Sequence, residues 1–572
     1  MIALAFALAH ALAATRPPRI PASEADAVMD SAGELLLGEL NCTRCHEAPS
    51  VLAARLHPKP APWLGEVAGR LQPDFVRRWL RDPLETLPGT TMPDVLGHLS
   101  EHDRESAIEE VLNFLWSLTP AATSQTAHAS EFLIQQGRVL YHQTGCVACH
   151  APFELASSFA GDAGSGVSDT NSLRLALEAL DAVSQPLPDL AAKYLPPGLA
   201  AFLRDPLATR PGGRMPSLKL TDAESRALAA YLQSVTAAPM PAAPRPPGRG
   251  RQPDLARRGR ERFASVGCAN CHELTADRSP VAPQHRAPKL VSLNPDAPSG
   301  CLGSKPSPRA ARYALSETQR ATLRTVLHRL PQLDREPATS ERAALTLARY
   351  QCRACHVRDG QGGPDLARMG YFQGLSESDL GDEGRLPPHL NGVGEKLRPN
   401  WLGAVLTNGG SVRPYLATRM PQFGAANVGS LASELVLVDS GASVAVAAPA
   451  GDAAVGAELV GLGGYSCVSC HSFGPHPSLG ISVMDLTRMA ERLNWGWFRR
   501  YLEDPVTLRP GTRMPSFWPE GKAAVPSVLG GDTDRQIAAI WAYLSLGKEA
   551  PPPPGLLENL ERTRSGAVRD AE

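Results

Sequence analysis

Five times in 572 residues the chain spells Cys-x-x-Cys-His, and no other feature limits its fold and chemistry as strongly. The copies run Cys42–His46, Cys146–His150, Cys268–His272, Cys352–His356 and Cys467–His471. They use ten of the eleven cysteines: Cys42, Cys45, Cys146, Cys149, Cys268, Cys271, Cys352, Cys355, Cys467 and Cys470. Two thiols one helical turn apart can each form a thioether to a vinyl group of one haem. The following histidine then offers an imidazole nitrogen to the iron. Zinc would need four ligands, usually from a second Cys/His pair at set spacing, and no copy has one. A thioredoxin-like motif accounts for the cysteine pair but not for five histidines, nor for the lack of a βαβ pattern around them. The spacing therefore predicts five covalently attached haems c, with His46, His150, His272, His356 and His471 as proximal ligands.

The copies lie 104, 122, 84 and 115 residues apart, a repeat of domain size rather than a short solenoid unit. Four are followed by Met-Pro, at Met92, Met215, Met420 and Met514. In three, an Asp-Pro precedes the methionine by a fixed distance, at Pro83, Pro206 and Pro505. A helix ending at Asp-Pro, then a Pro/Gly loop, would carry a thioether sulfur to the open haem face. A lone methionine is more often core packing. Four such pairs behind four attachment motifs favour distal ligation, which raises the haem potential and suits electron transfer.

Helical stripes bracket the motifs. Thr221 with Glu224, Ser316 with Gln319 and Thr533 with Gln536 read as capping boxes. Apolar residues at helical spacing follow each, such as Leu228, Tyr231 and Leu232, or Leu323, Val326 and Leu327. Segments 131–141 and 254–263 read as helices that end just before a motif.

Helix, Cys-x-x-Cys-His, long loop, middle helix, methionine loop, final helix: in this order the chain resembles the class I cytochrome c domain, over residues 24–546. Arg413-Pro414-Tyr415 with Thr418-Arg419-Met420-Pro421 is similar to the tandem cytochrome modules of planctomycete-type multidomain proteins. The resemblance implies an all-α chain of five tandem cytochrome c-like domains, joined by Pro/Gly-rich linkers. The expected limits are 24–120, 130–236, 254–331, 338–440 and 450–546, with a tail at 547–572. Units of about 100 residues bury a limited core, so each is expected to fold poorly without its haem.

The third unit breaks the pattern, with no methionine between His272 and the next motif. Its distal ligand is left open among His285, Cys301 (the unpaired cysteine), Lys289, His328 and no protein ligand. The fourth unit has an insertion at Leu386–Leu390, lacks the Asp-Pro, and has a poorly defined final helix. Residues 431–450 read as a helix end and linker, and Pro239–Arg262 as a basic linker.

Met1–Ala14 is apolar, and Ala11-Leu12-Ala13 fits a cleavage site. This reads as a signal peptide, with a buried N-terminal helix as the alternative. The expected location is periplasmic or otherwise exported. With 57 Lys+Arg against 58 Asp+Glu, charge gives no case for nucleic-acid binding, and no internal stretch is long and apolar enough for a membrane span. The leading functional expectation is an exported pentahaem carrier. Its redox partners would be a dehydrogenase, a quinol-oxidising complex or a terminal oxidase. The alternative is a peroxidase-like haem enzyme with an open iron in the third unit, fed by the other four.

Overall fold

The computed structural model describes residues 17–18, 29–118, 129–156, 177–181, 184–236, 252–276, 278–303, 305, 310–376, 378–410, 412–440 and 447–569. The expected signal peptide and residues 239–251 of the expected linker lie outside these. The described chain is mostly helical. Ten helices matter here: α1 Met29–Glu39, α2 Glu101–Ser117, α3 Glu131–Gln143, α4 Asp222–Thr236, α5 Pro253–Ser265, α6 Glu317–His328, α7 Thr339–Arg349, α8 Leu431–Ser440, α9 Ala453–Val460 and α10 Thr533–Leu544. Two small antiparallel hairpins, Thr275–Ala276 with Ser279–Pro280 and Val357–Arg358 with Gln361–Gly362, follow the third and fourth motifs. The chain divides into two compact units. One holds the residues up to His142, Cys146–Cys352 and Pro421–Asn427; the other holds Gln143–Gly145, Arg353–Met420 and Val428 onward.

Local chemistry sets the helix ends. Thr221 and Glu224 cap α4 reciprocally, each backbone N–H donating to the other's side chain. Ser316 and Gln319 do the same for α6. At α10 the expected box is not formed. Asp532, one residue earlier, accepts from the Arg535 amide, and Gln536 is wholly buried. Its amide accepts from Tyr465 and Trp518 and donates to the Val525 and Val528 carbonyls. A carboxylate is available as the cap, so the glutamine is free to tie down two aromatic side chains. Each Asp-Pro ends a helix as expected, and the same aspartate then caps a single further turn: Pro83–Thr86, Pro206–Thr209 and Pro505–Leu508.

In the first unit three helix pairs form around glycines that permit close crossing. Gly137 of α3 lies against the Ala227 carbonyl and Tyr231 of α4, where a methyl would overlap both. Tyr141 and Tyr231 then meet at 5.9 Å. Helices α3 and α4 of the second stretch therefore pack on each other. The other two pairs are exchanged. Gly259 of α5 lies against the Glu110 carbonyl and Phe114 of α2, and Phe114 meets Phe263 edge-on at 5.7 Å. Arg262 and Arg258 reach Glu110 at 3.1 and 3.3 Å. Gly33 of α1 sits under Val326 of α6.

Two cores record the exchange. One joins Val67, Phe75, Ile108, Val111 and Leu115 to Phe263, Ala269 and Leu274. The other joins Leu35, Leu36, Leu52 and Leu56 to Leu290, Leu315, Leu323 and Leu327. The limits 24–120 and 254–331 therefore do not enclose packing units. The helix before the first motif packs with the final helix of the third stretch, and the helix before the third motif packs with the final helix of the first.

In the second unit Gly456 of α9 lies against the Ala539 carbonyl and Tyr543 of α10. The fourth repeat does have a final helix, α8. Its Leu435 carbonyl closes on Gly394, and its Asp439 accepts from the Gly394 amide at 2.7 Å and pairs with Arg358 at 2.6 Å. The helix read over 254–263 forms, as Pro253–Ser265, so the linker read over 239–262 does not extend to Arg262. The fifth repeat runs past residue 546: the Leu462 amide donates to the Pro554 carbonyl, Tyr543 donates to Pro551, and Leu556 is wholly buried.

Candidate functional site

Each of the five motifs is one tight turn entered from a residue with positive φ. These entry residues are Asn41 (58°), Gly145 (115°), Gly267 (105°), Gln351 (54°) and Ser466 (53°). Three are not glycine, a conformation that costs on the order of 1–3 kcal/mol each and persists where surroundings demand it. In four motifs the histidine amide closes the turn on the first cysteine carbonyl at 2.9–3.0 Å. All eleven cysteines are free of disulfides. Burial pushes Cys42, Cys45, Cys268, Cys352 and Cys467 up to about 12, so these thiols are not poised thiolates.

The five imidazoles share one arrangement. His46 Nδ1 lies 2.7 Å from the Pro288 carbonyl and His150 Nδ1 3.0 Å from that of Gln185. His272 Nδ1 lies 2.9 Å from Pro62, His356 2.6 Å from Pro388, and His471 2.8 Å from Met484. A carbonyl only accepts, so each Nδ1 carries the proton and donates it. Every Nε2 is left with its lone pair for a metal. Burial lowers the pKa of His150, His272, His356 and His471, which keeps these rings neutral. Among the described residues no three His, Cys, Asp or Glu side chains converge on a metal-sized point.

Two of these carbonyl partners are exchanged with the helices. His46 is held by Pro288, from the third stretch, and His272 by Pro62, from the first. The methionines follow. Met215 lines one cavity with Cys146 and His150. Met92 packs, as does Cys268, on the core that contains Ala269, and its sulfur accepts from Trp79 Nε1 at 2.8 Å. Cys42 packs on the other core. The structure thus groups Met92 with the third motif, not with the first, where sequence order put it. The Met92 and Met514 amides bind Thr90 and Thr512 in the same way, so one kind of turn delivers both methionines. Met420 is 38% exposed.

Sequence reading missed a set of cations. Arg70, Lys193, Lys396 and Arg492 each end a single turn: Val67–Arg70, Leu190–Lys193, Val393–Lys396 and Met489–Arg492. An isolated antiparallel bridge joins Leu71 to Tyr194 in the first unit, and another joins Leu397 to Leu493 in the second. The Gln72 amide donates to the Lys193 carbonyl and the Leu195 amide to that of Arg70, so these cations flank one bridge. Lys396 and Arg492 flank the other in the same way.

Lys193 lines the cavity of His150 and Met215, with its ammonium 5.4 Å from the Phe75 ring and 5.2 Å from that of Tyr194. Lys396 lies 4.3 Å from the Trp497 ring. Burial, then Arg210 and Arg70, push Lys193 far below the usual lysine value. Burial, then Arg509, Arg492 and Arg413, do so for Lys396, and burial with Arg413 and Arg509 brings Arg492 to about 9. None of the four makes an ion pair among the described residues. Lys193 and Arg492 are buried and Arg70 and Lys396 half-buried; burying an unpaired cation costs several kcal/mol, so the two buried positions above all call for an anion. The two propionates of a haem would supply that charge, and the residues present fit the group. The recurring four-residue text with a terminal cation was the available signal.

Among the described residues, no helix is long and apolar enough to cross a membrane. No curated protein and no solved structure matches the chain. Residues 134–236 match the family model described as cytochrome c, the stretch that holds Cys146, His150, Lys193 and Met215, so this part of the chain is a cytochrome c domain with covalent haem c.

Proposed function

We propose that the whole chain is a pentahaem c-type cytochrome that carries electrons between a donor and an acceptor, in the periplasm or another exported location. The observation that carries this reading is the fivefold repeat of one site: an attachment turn and a histidine whose Nδ1 is spent on a carbonyl. The haem supplies one-electron chemistry, and the protein sets potential, spacing and access. Five cysteine pairs hold the groups, and His46, His150, His272, His356 and His471 present Nε2 to the irons. Met215, Met420 and Met514 serve as distal ligands within their own repeats, and Met92 serves the His272 site. Arg70, Lys193, Lys396 and Arg492 balance propionate charge.

Two contacts support an order of sites in the first unit that differs from sequence order. Asn270 donates to the Arg44 carbonyl at 3.1 Å and Arg44 pairs with Glu273 at 3.3 Å, which brings the first and third attachment turns together. Arg70 and Lys193 flank one bridge, which brings the third and second sites together. The order is His46, His272, His150. In the second unit His356 and His471 form the equivalent bridged pair. The partners fitting such a chain are a dehydrogenase, a quinol-oxidising complex or a terminal oxidase. The test is the protein matured with haem: five covalent haems per chain, and reversible reduction of all five without a substrate, support the reading. Fewer than five refutes the count.

A further inference from the structure

The exchange in the first unit changes which site lacks a methionine. Two registers identify the position. First, isolated antiparallel bridges pair Asp94 with Arg312 and Ser217 with Gln422. Asp94, Ser217 and Gln422 each stand two residues after a methionine: Met92, Met215 and Met420. The residue two before Arg312 is Ala310. The Asp94–Arg312 bridge has both backbone bonds, at 2.9 and 3.0 Å, and the Arg312 guanidinium reaches the buried Asp94 carboxylate at 3.4 Å. Second, Met215 lies six residues before Thr221, which caps α4. Ala310 lies six residues before Ser316, which caps α6 in the same way. The bridge register puts an alanine where three other repeats have a thioether, and the cap register repeats the spacing of Met215.

The segment that carries Ala310 closes over the first motif. Leu290, Leu315 and Leu323 share a core on which Cys42 packs, with Leu293, Leu302 and Tyr313 beside it. The side chains proposed from sequence as substitutes are mostly engaged elsewhere. His328 Nε2 lies 3.0 Å from Asp296 at the surface. Lys289 is exposed. His285 lies beside Gly267, at the entrance of the third motif. Tyr313 donates to the Leu40 carbonyl at 3.0 Å. Cys301 is half-buried and close enough to Cys42 to raise its pKa, which makes it the internal competitor to exclude by experiment.

We propose that the haem held by Cys42, Cys45 and His46 has Ala310 at its distal face in place of a methionine, and that its ferrous iron takes a small neutral diatomic ligand. This rests on the reading of covalent haem at that motif. A methyl group cannot reach an iron, and a leucine-rich wall favours a neutral ligand over an anion, which would be desolvated without a partner. The third site, served by Met92, is closed.

The test uses the full chain carrying haem. A haem count comes first: fewer than five would fail the haem reading itself, separately from this proposal. With five haems, the reduced protein should bind one carbon monoxide per chain, and the ferric protein should show one high-spin haem. Ala310→Met should abolish carbon monoxide binding and add one methionine–iron charge-transfer band. Ala310→His, should the first variant fold poorly, should also abolish binding and give one haem with two imidazoles. Five haems with no carbon monoxide binding would overturn the proposal, as would binding released only by Cys301→Ser. Undiminished binding in both Ala310 variants would place the open iron elsewhere and overturn it too.

Discussion

The second repeat and the first-and-third pair use the same parts in different ways. In residues 130–236 one continuous stretch supplies the entry helix, the attachment turn, the carbonyl for His150, the buried lysine, Met215 and the closing helix. In the other case each site is assembled from two stretches far apart in sequence. The attachment turn at Cys268 takes its carbonyl and its closing helix from residues 62–117, the stretch that also carries Arg70 and Met92. The turn at Cys42 takes its carbonyl and closing helix from residues 288–328, and with them Ala310. A cytochrome-like repeat is therefore two separable halves: an entry helix with its attachment turn, and a wall with a closing helix. The halves are joined by a long loop, and which wall closes on which turn is decided by packing.

The comparison can be broken most severely by separating the halves. Residues 130–236 alone should load one haem and keep a methionine-ligated spectrum. Residues 24–120 alone should not give a methionine-ligated haem, because their attachment turn and Met92 belong to different cores; visible spectra of the two purified fragments decide this. Next in size is Gly259→Val. It drives a branched side chain into the Glu110 carbonyl and should destabilise the first unit by about 3 kcal/mol in denaturant unfolding. It should also disturb the methionine band, whereas a contiguous first domain would leave Met92 untouched.

Met92→Ala should open a second carbon monoxide site and lower one haem potential by on the order of 0.1–0.2 V, within the roughly 0.8 V that axial ligands span. Potentiometric titration and gas binding read both effects.

Two smaller changes sharpen the picture. Lys193→Met removes a positive charge beside the second site and stabilises the ferric form. The potential of one haem should fall by on the order of 50–100 mV, the Coulomb term for one charge at roughly 8 Å in an effective dielectric near 20. Asp94→Asn breaks the carboxylate that holds Arg312 and should cost about 1–2 kcal/mol, with a small rise in high-spin content at the other sites.

What could be read from the sequence was local. The attachment turns, the caps of α4 and α6 and the Asp-Pro helix ends follow from side chains acting within a few residues. The α10 cap was misread because a serine- or threonine-type box and an aspartate one residue earlier compete, and burial of Gln536 decides between them. The helix partners were not legible, for a physical reason. Three closing helices offer the same face, an apolar stripe with Tyr231, Phe114 or Tyr543, and their entry helices meet it through Gly137, Gly259 and Gly456. Such faces do not name their partner in the sequence. The methionine missing after His272 was read against the wrong motif in the account proposed here, since sequence distance had stood in for contact and Met92 packs on the core beside Cys268. The buried cations were legible as a repeated text. Their role needed the bridges that face them in pairs.

The central claim is that Met92 serves the third motif and that the first motif has no methionine. The most direct measurement is on the Cys42→Ser, Cys45→Ser double variant of the full chain, which removes the first haem. The account predicts four haems, a methionine–iron charge-transfer band undiminished from that of the five-haem protein, and no carbon monoxide binding. A band reduced by one haem's share, with carbon monoxide still bound, would show Met92 on the first iron and contradict it.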